Sequence, residues 1–255
     1  MRGVLGVFWG FRMIRPVPIP GLFITGTDTG VGKTIVTGAI AAHFRRRYAG
    51  KRIAVCKPIA TGCVRRREGL VSEDAEFLAH CGDVRFDLDT ICPRRYAEPL
   101  APAIAAERAG KPVEWDAIDR SLQTMSAEAD VMLVEGVGGV MVPLDARHTV
   151  LDLARWLRVP AIVVARPGLG TINHTLLTLA ALRAAHIRVA GVVINRYPAQ
   201  SAPTAEETNP AAIERFGKTL VLCVVPDEPS AHALHLSPGI LSAIDTVDWD
   251  ALTRQ

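Results

Sequence analysis

Lys33 and Thr34 close the run Gly26-Thr27-Asp28-Thr29-Gly30-Val31-Gly32-Lys33-Thr34, the part of the chain whose residue types and spacing most directly specify chemistry. Glycines let successive backbone N–H groups turn towards phosphate oxygens. A helix beginning at this point adds its positive N-terminal end, the lysine reaches the terminal phosphates, and the threonine hydroxyl ligates Mg²⁺. The run follows the apolar residues Leu22-Phe23-Ile24 and precedes a helix-like stretch, the context such a cradle requires. The chemistry implied is the handling of a nucleoside triphosphate. The usual pattern sets four residues between its two glycines; five lie between Gly26 and Gly32, so this loop is a longer variant.

Three further segments carry candidate groups. Glu135 ends an apolar run and is followed at once by Gly136-Val137-Gly138-Gly139, so its carboxylate meets an unobstructed backbone. Nucleotide-bound Mg²⁺ takes one or two carboxylates with phosphate oxygens and water, and Thr34 and Glu135 are able to supply the protein's share. Asp74, in Ser72-Glu73-Asp74-Ala75, is a second carboxylate, although Ser72 followed by acidic residues equally describes a capped helix start. Lys57 stands between an apolar run and Pro58, with Thr61 four positions on. Its ammonium is suited to a transferring phosphate or a carboxylate, and residue type alone leaves a solvated lysine open. Gly168-Leu169-Gly170-Thr171 opens a helical pattern, which makes its first N–H groups a second anion site or simply a capped turn.

The elements that position these groups alternate. Apolar runs at 22–25, 52–56, 131–134, 161–165, 189–194 and 220–225 read as strands buried on both faces. Helical patterns lie between them at 34–48, 73–80, 115–127, 150–157, 171–185 and 210–216. Such alternation predicts a single α/β domain with a doubly wound, mostly parallel sheet flanked by helices. Ligands then gather beyond the carboxyl ends of the strands, where the phosphate loop and the segments from Lys57, Glu135, Arg166, Asn195 and Pro226 fall. Residues 93–112 read as an elaborated connection with a short helix, and 199–209 as a mobile surface loop.

Bulk properties narrow the classes. A chain of 255 residues with 49% hydrophobic and 22% charged residues buries one substantial core. A net charge of +3 is too small at this length to argue for nucleic acid or anionic lipid as a partner. The clusters Arg45-Arg46-Arg47 and Arg65-Arg66-Arg67 read as a solvated helix end and a solvated loop. Five cysteines without a Cys-x-x-Cys pair indicate neither a disulfide framework nor a zinc site and suit a reducing cytoplasm. The apolar stretch 4–11 is too short to span a bilayer, and no small-residue cleavage site follows it. Residues 1–20 are therefore expected to form an N-terminal extension to a domain over 21–255, with Met13 a plausible effective start.

Together these motifs resemble dethiobiotin synthetase, a family of the P-loop NTPase fold. The matches are the loop Gly26 to Thr34, Lys-Pro-x-x-Thr-Gly from Lys57, Glu-Asp-Ala from Glu73 and Val-Glu-Gly-x-Gly-Gly from Val134. Leu-Gly-Thr-Ile-Asn-His from Leu169 and Ala-Gly-Val-Val-Ile-Asn from Ala190 complete the series. The resemblance implies that Gly30, Val31, Gly32, Lys33, Thr34 and Ile35 cradle the ATP phosphates, with Thr34, Asp74 and Glu135 on Mg²⁺. Lys57 is then the catalytic lysine, assisted by Lys33. Gly136, Val137, Gly138, Asn195, Arg196, Pro226, Asp227 and Glu228 complete the nucleotide contacts, Asn195 reading the adenine edge. Thr29 and Thr61 face the substrate, and Gly170, Thr171 and Asn173 approach its carboxylate from the neighbouring subunit of a homodimer. Gly30 stands where some members carry an acidic residue.

The implied reaction joins CO₂ to 7,8-diaminononanoate at the expense of ATP. One amine takes up CO₂ as a carbamate, the γ-phosphoryl group moves to that carbamate, and the second amine attacks the mixed anhydride to close a cyclic urea. A rival of the same fold is the partition or cell-division ATPase switch. Those proteins usually carry a further lysine at the position of Asp28 and often a membrane-binding terminal helix, and residues 252–255 show no such helix. An amide-forming ligase of the cobyrinate type would need a glutamine-hydrolysing domain, for which 255 residues leave no room.

Overall fold

The computed structural model describes residues 13–67, 69–198, 204–228 and 235–254. The first half of the chain gives β1 (Gly21–Gly26), α1 (Lys33–Arg47), β2 (Ile53–Cys56), β3 (Ile59–Ala60), β4 (Val64–Arg66), β5 (Gly69–Val71), α2 (Glu73–Gly82), α3 (Leu88–Ile91), β6 (Arg94–Arg95), α4 (Pro102–Ala109) and α5 (Trp115–Glu128). The second half gives β7 (Val131–Gly139), α6 (Val150–Leu157), β8 (Ala161–Ala165), α7 (Thr171–Ala184), β9 (Val189–Tyr197), α8 (Thr204–Gly217), β10 (Val221–Pro226), α9 (Pro238–Asp245) and α10 (Trp249–Thr253).

Six strands form one sheet in the order β10-β9-β8-β1-β7-β2, and every pairing in it is parallel. Side chains alternate across it, because successive strand residues point to opposite faces. Leu22, Ile24, Val131 and Leu133 join α1, α2 and α9 on one face. Phe23, Met132 and Val134 join α5, α6 and α7 on the other. All six predicted strands and the helices between them are present. β7 and β9 run on past the predicted ends, to Gly139 and Tyr197.

Several expectations need correction. Within the stretch expected as an N-terminal extension, Ile14 and Val17 are buried in the core, and Val17 N–H donates to Leu157 O at 3.1 Å. Residues 1–12 lie outside the described residues. Of the loop expected at 199–209, residues 199–203 also lie outside them, and α8 already begins at Thr204. Pro210 falls inside α8 rather than at its start. The early start is anchored by Asn209, which is buried and donates through Nδ2 to Pro167 O at 2.6 Å. Arg65 and Arg66 lie on β4, paired antiparallel with β5, and not in a loop.

Candidate active site

Strand register brings the chemistry together. Cys56 pairs with Val134 across β2 and β7, so Lys57 emerges beside Glu135; Ile24 on β1 pairs with Glu135 from the other side. The phosphate loop leaving β1 is therefore adjacent to both. Lys57 and Glu135 share the side-chain parity of Val55 and Leu133, which places them on the α1 face. The fourth contributor arrives on α2, where Ser72 caps the helix by accepting from Ala75 N–H at 3.2 Å. Asp74 then sits in the first turn with its carboxylate facing the strand ends. The capped helix start is present, and it brings the Asp74 carboxylate to the Lys57 ammonium.

The four side chains form one network. Lys57 Nζ donates to Asp74 Oδ2 at 2.6 Å and to Glu135 Oε1, and Thr34 Oγ1 donates to the same Glu135 oxygen at 2.8 Å. Lys57 and Glu135 are buried, while Asp74 is partly open to solvent. Burial acts to lower the Lys57 ammonium, yet Glu135 and Asp74, through charge and hydrogen bonds, raise it above its ordinary value. Burial likewise opposes ionisation of Asp74, and Lys57 outweighs it, holding that carboxyl below the usual range. Glu135 Oε2 is buried with no hydrogen-bond partner. Among the described residues no three His, Cys, Asp or Glu side chains form a metal cluster. Thr34 Oγ1, Asp74 and Glu135 are nevertheless hard oxygen donors of the kind a divalent cation takes when phosphate and water complete its shell.

The loop itself is set by backbone conformation. Gly30 and Gly32 have φ of 75° and 86°. Gly32 is also approached closely: a Cβ there would lie 2.0 Å from Asn195 Nδ2. No side chain caps α1, which leaves its first N–H groups for a ligand. Lys33 Nζ donates to Asp28 O at 3.0 Å, and burial, outweighing the nearby carboxylates, pushes its ammonium down to about 8.

A cavity of about 850 Å³ joins these parts. Thr29, Gly30, Gly32, Lys33, Thr34, Ile35, Lys57, Thr61, Asp74, Glu135, Val137, Gly138 and Arg196 line it, as does Arg66, which sequence reasoning set aside as solvated. Arg66 forms a fork with Glu76, its NH2 donating to Glu76 Oε2 at 2.9 Å, and the two stand at the cavity wall. A tight basic cluster between the Lys57 and Asp74 segments was the available signal. A second cavity, of about 430 Å³, meets Thr29 from the other side and is lined by Met141, His174 and Leu177.

Other expected residues stand apart from the main cavity. Val31 and Gly136 are buried behind the loop. The Asn195 amide turns to the loop itself, donating through Nδ2 to Val31 O at 2.9 Å. Pro226 closes β10, Asp227 just beyond it donates its N–H to Tyr197 O, and the Glu228 carboxylate lies against Gly239 in the first turn of α9. At the start of α7, the Thr171 hydroxyl is buried and its N–H donates to Gly168 O at 3.2 Å. The Thr171 side chain is thus directed inwards, whereas Gly170 and Asn173 are exposed.

The profile of a family described as an AAA domain matches residues 20–233. The ATP-dependent dethiobiotin synthetase BioD of Thermodesulfovibrio yellowstonii is 40% identical over 213 residues, covering 81% of this chain and 88% of that one. That of Anaeromyxobacter sp. strain K is 42% identical over 209 residues, covering 82% and 91%. The chain belongs to the dethiobiotin synthetase family. Its P-loop fold is shared with more distant structures, among them a ParA family ATPase from Chlorobium tepidum. That likeness has a TM-score of 0.58 at 11% identity and covers 92% of this chain and 98% of that one. At that identity the likeness describes the fold of this synthetase family member and not its activity.

Proposed function

We propose that this member of the family uses ATP to carboxylate 7,8-diaminononanoate with CO₂ and close it to dethiobiotin, a step of biotin biosynthesis. The observation that carries the reading is the buried Lys57, bridging Asp74 and Glu135 at the wall of the cavity that the phosphate loop opens into. The carbamate formed on one amine attacks the γ-phosphorus; the bond to ADP breaks and ADP leaves. The second amine then attacks the carbamoyl carbon, phosphate departs and a proton is released. Little covalent work falls to the protein. Lys33 and the α1 N–H groups hold the phosphates, and Lys57 offsets negative charge where the phosphoryl group transfers.

Thr34, Asp74 and Glu135 would hold a Mg²⁺ ion, and the orphaned Glu135 Oε2 fits that role. When bound, it neutralises phosphate charge. The substrate's carboxylate would reach the start of α7 in a second copy of the chain, making a homodimer with shared sites. The exposed Leu169, Leu177 and Met141 support such an interface. Among the described residues no helix is long and apolar enough to cross a membrane, and all five cysteines are free and buried, in keeping with a cytoplasmic setting. The test is phosphate release from ATP, with the product followed by mass spectrometry. Release that requires both the diamine and bicarbonate supports the reading, and release stimulated by DNA or lipid instead overturns it.

A further inference from the structure

We infer that Lys57 and a divalent cation compete for the same two carboxylates, so that the metal is admitted only together with the nucleotide phosphates. The inference rests on the reading of this cavity as a metal–ATP site. The Lys57 ammonium donates to Asp74 Oδ2 and Glu135 Oε1, and Thr34 Oγ1 donates to that same Glu135 oxygen. Each of the three side chains suited to the cation therefore belongs to a network centred on, or one bond from, the lysine. A further acceptor, Glu135 Oε2, is buried without a donor, so the pair of carboxylates is not saturated by Lys57 alone.

Charge decides the order of events. Two carboxylates, Asp74 and Glu135, meet the buried Lys57 ammonium, and a second buried lysine, Lys33, lines the same cavity, so acidic and basic groups are matched two to two. A divalent cation entering this balanced group would lie within a few ångströms of two ammonium groups with nothing to offset it, which is unfavourable away from water. Phosphates reverse the sign. Their oxygens draw the Lys57 ammonium, a point charge on a flexible stem, off the carboxylates. The carboxylates are then free for the metal, and the ammonium is delivered to the transferring group. Lys57 thus serves as the counter-ion of the metal donors before it serves the phosphoryl group. It is in this sense a positioning residue as well.

The experiment titrates Mn²⁺ into the full-length protein without nucleotide, following the loss of the free-ion electron paramagnetic resonance signal. Wild type is expected to bind weakly. Lys57→Gln, which keeps donors at similar reach and removes the charge, is expected to bind roughly tenfold or more tightly, since a unit charge a few ångströms away has been removed. Lys57→Ala carries the same expectation where it folds. Wild type alone also tests the inference: tight stoichiometric Mn²⁺ binding in the absence of nucleotide overturns it, as does equal affinity in wild type and Lys57→Gln. Binding of a non-hydrolysable ATP analogue, measured with and without Mg²⁺, separates the two levels. No analogue binding removes the reading of the site, whereas magnesium-dependent analogue binding with Mn²⁺ affinity unchanged by Lys57→Gln removes only the competition.

Discussion

At the scale of single residues, the decisive fact is that Lys57 is a buried cation whose charge is maintained by two carboxylates. Removing it therefore acts twice. Lys57→Ala should lower turnover by roughly 10²- to 10³-fold, because charge stabilisation of the transferring group is lost. It should also lower stability by about 3 kcal/mol, because fully buried Glu135 loses its partner. Steady-state phosphate release and urea denaturation check the two parts. Unchanged stability would mean that Glu135 is reached by water. Gly32 presents the opposite case, a residue defined by what is absent. Gly32→Ala meets the Asn195 amide and adds a side chain at positive φ, so nucleotide affinity should fall at least tenfold in calorimetry, with a stability loss of about 1–3 kcal/mol. Although residue type left Lys57 equally open to a solvated role, its meeting with Lys33, Thr34 and Glu135 was legible, because spacing and strand ends bring all four to one rim. The inward turn of Thr171 and the docking of Asn195 on the loop were not. Both depend on which way a side chain faces after distant elements pack, and local sequence does not encode that.

Elements position those residues through register and docking. The parallel strands were legible as apolar runs because burial on both faces leaves no polar alternation to confuse with a helix. The short C-terminal helices α9 and α10 were not, since at 8 and 5 residues they show little periodicity. They are held instead by anchors. Trp249 is fully buried and its indole donates to Ile244 O at 2.8 Å. Asp245 accepts from Arg46 NH2 at 2.9 Å and pairs with buried His43 at 2.7 Å, tying α9 to α1 behind the phosphate loop. Burial opposes ionisation of Asp245, but His43 and Arg46 together outweigh it and hold the carboxyl below its ordinary value. A depressed folded value contributes stability above the unfolded one and loses it as pH falls through the folded one. Asp245→Asn should therefore be less stable than wild type at neutral pH, by no more than about 1 kcal/mol for so exposed a carboxylate. The two proteins should converge only as pH falls through the depressed folded value, below the ordinary Asp range. Denaturation at neutral and acid pH measures it, and a difference that persists in acid would assign the effect to packing.

For the whole molecule, the open question is whether one chain completes its own site. The second cavity leads from Thr29 to α7 and is bordered by Met141 and Leu177, with Leu169 almost fully exposed nearby. Apolar residues exposed beside this cavity would suit a surface closed by another copy. The carboxylate's partner would be the first turn of α7 in that copy, where no side chain caps the helix and Asn173 is exposed. Asn173→Glu separates folding from binding, because an acidic residue is favourable in a first turn while its charge repels an incoming carboxylate. The KM for the diamine should rise by roughly tenfold or more with nucleotide affinity unchanged. Combined with Lys57→Gln, the variant tests sharing directly. Each parent should be nearly inactive at low diamine, yet a heterodimer holds one site with intact Lys57 from one chain and intact Asn173 from the other. Random exchange of equal amounts makes half the dimers mixed, so activity should recover to roughly a quarter of wild type. No recovery after exchange has been demonstrated by native mass spectrometry would mean that each chain binds the carboxylate with its own α7.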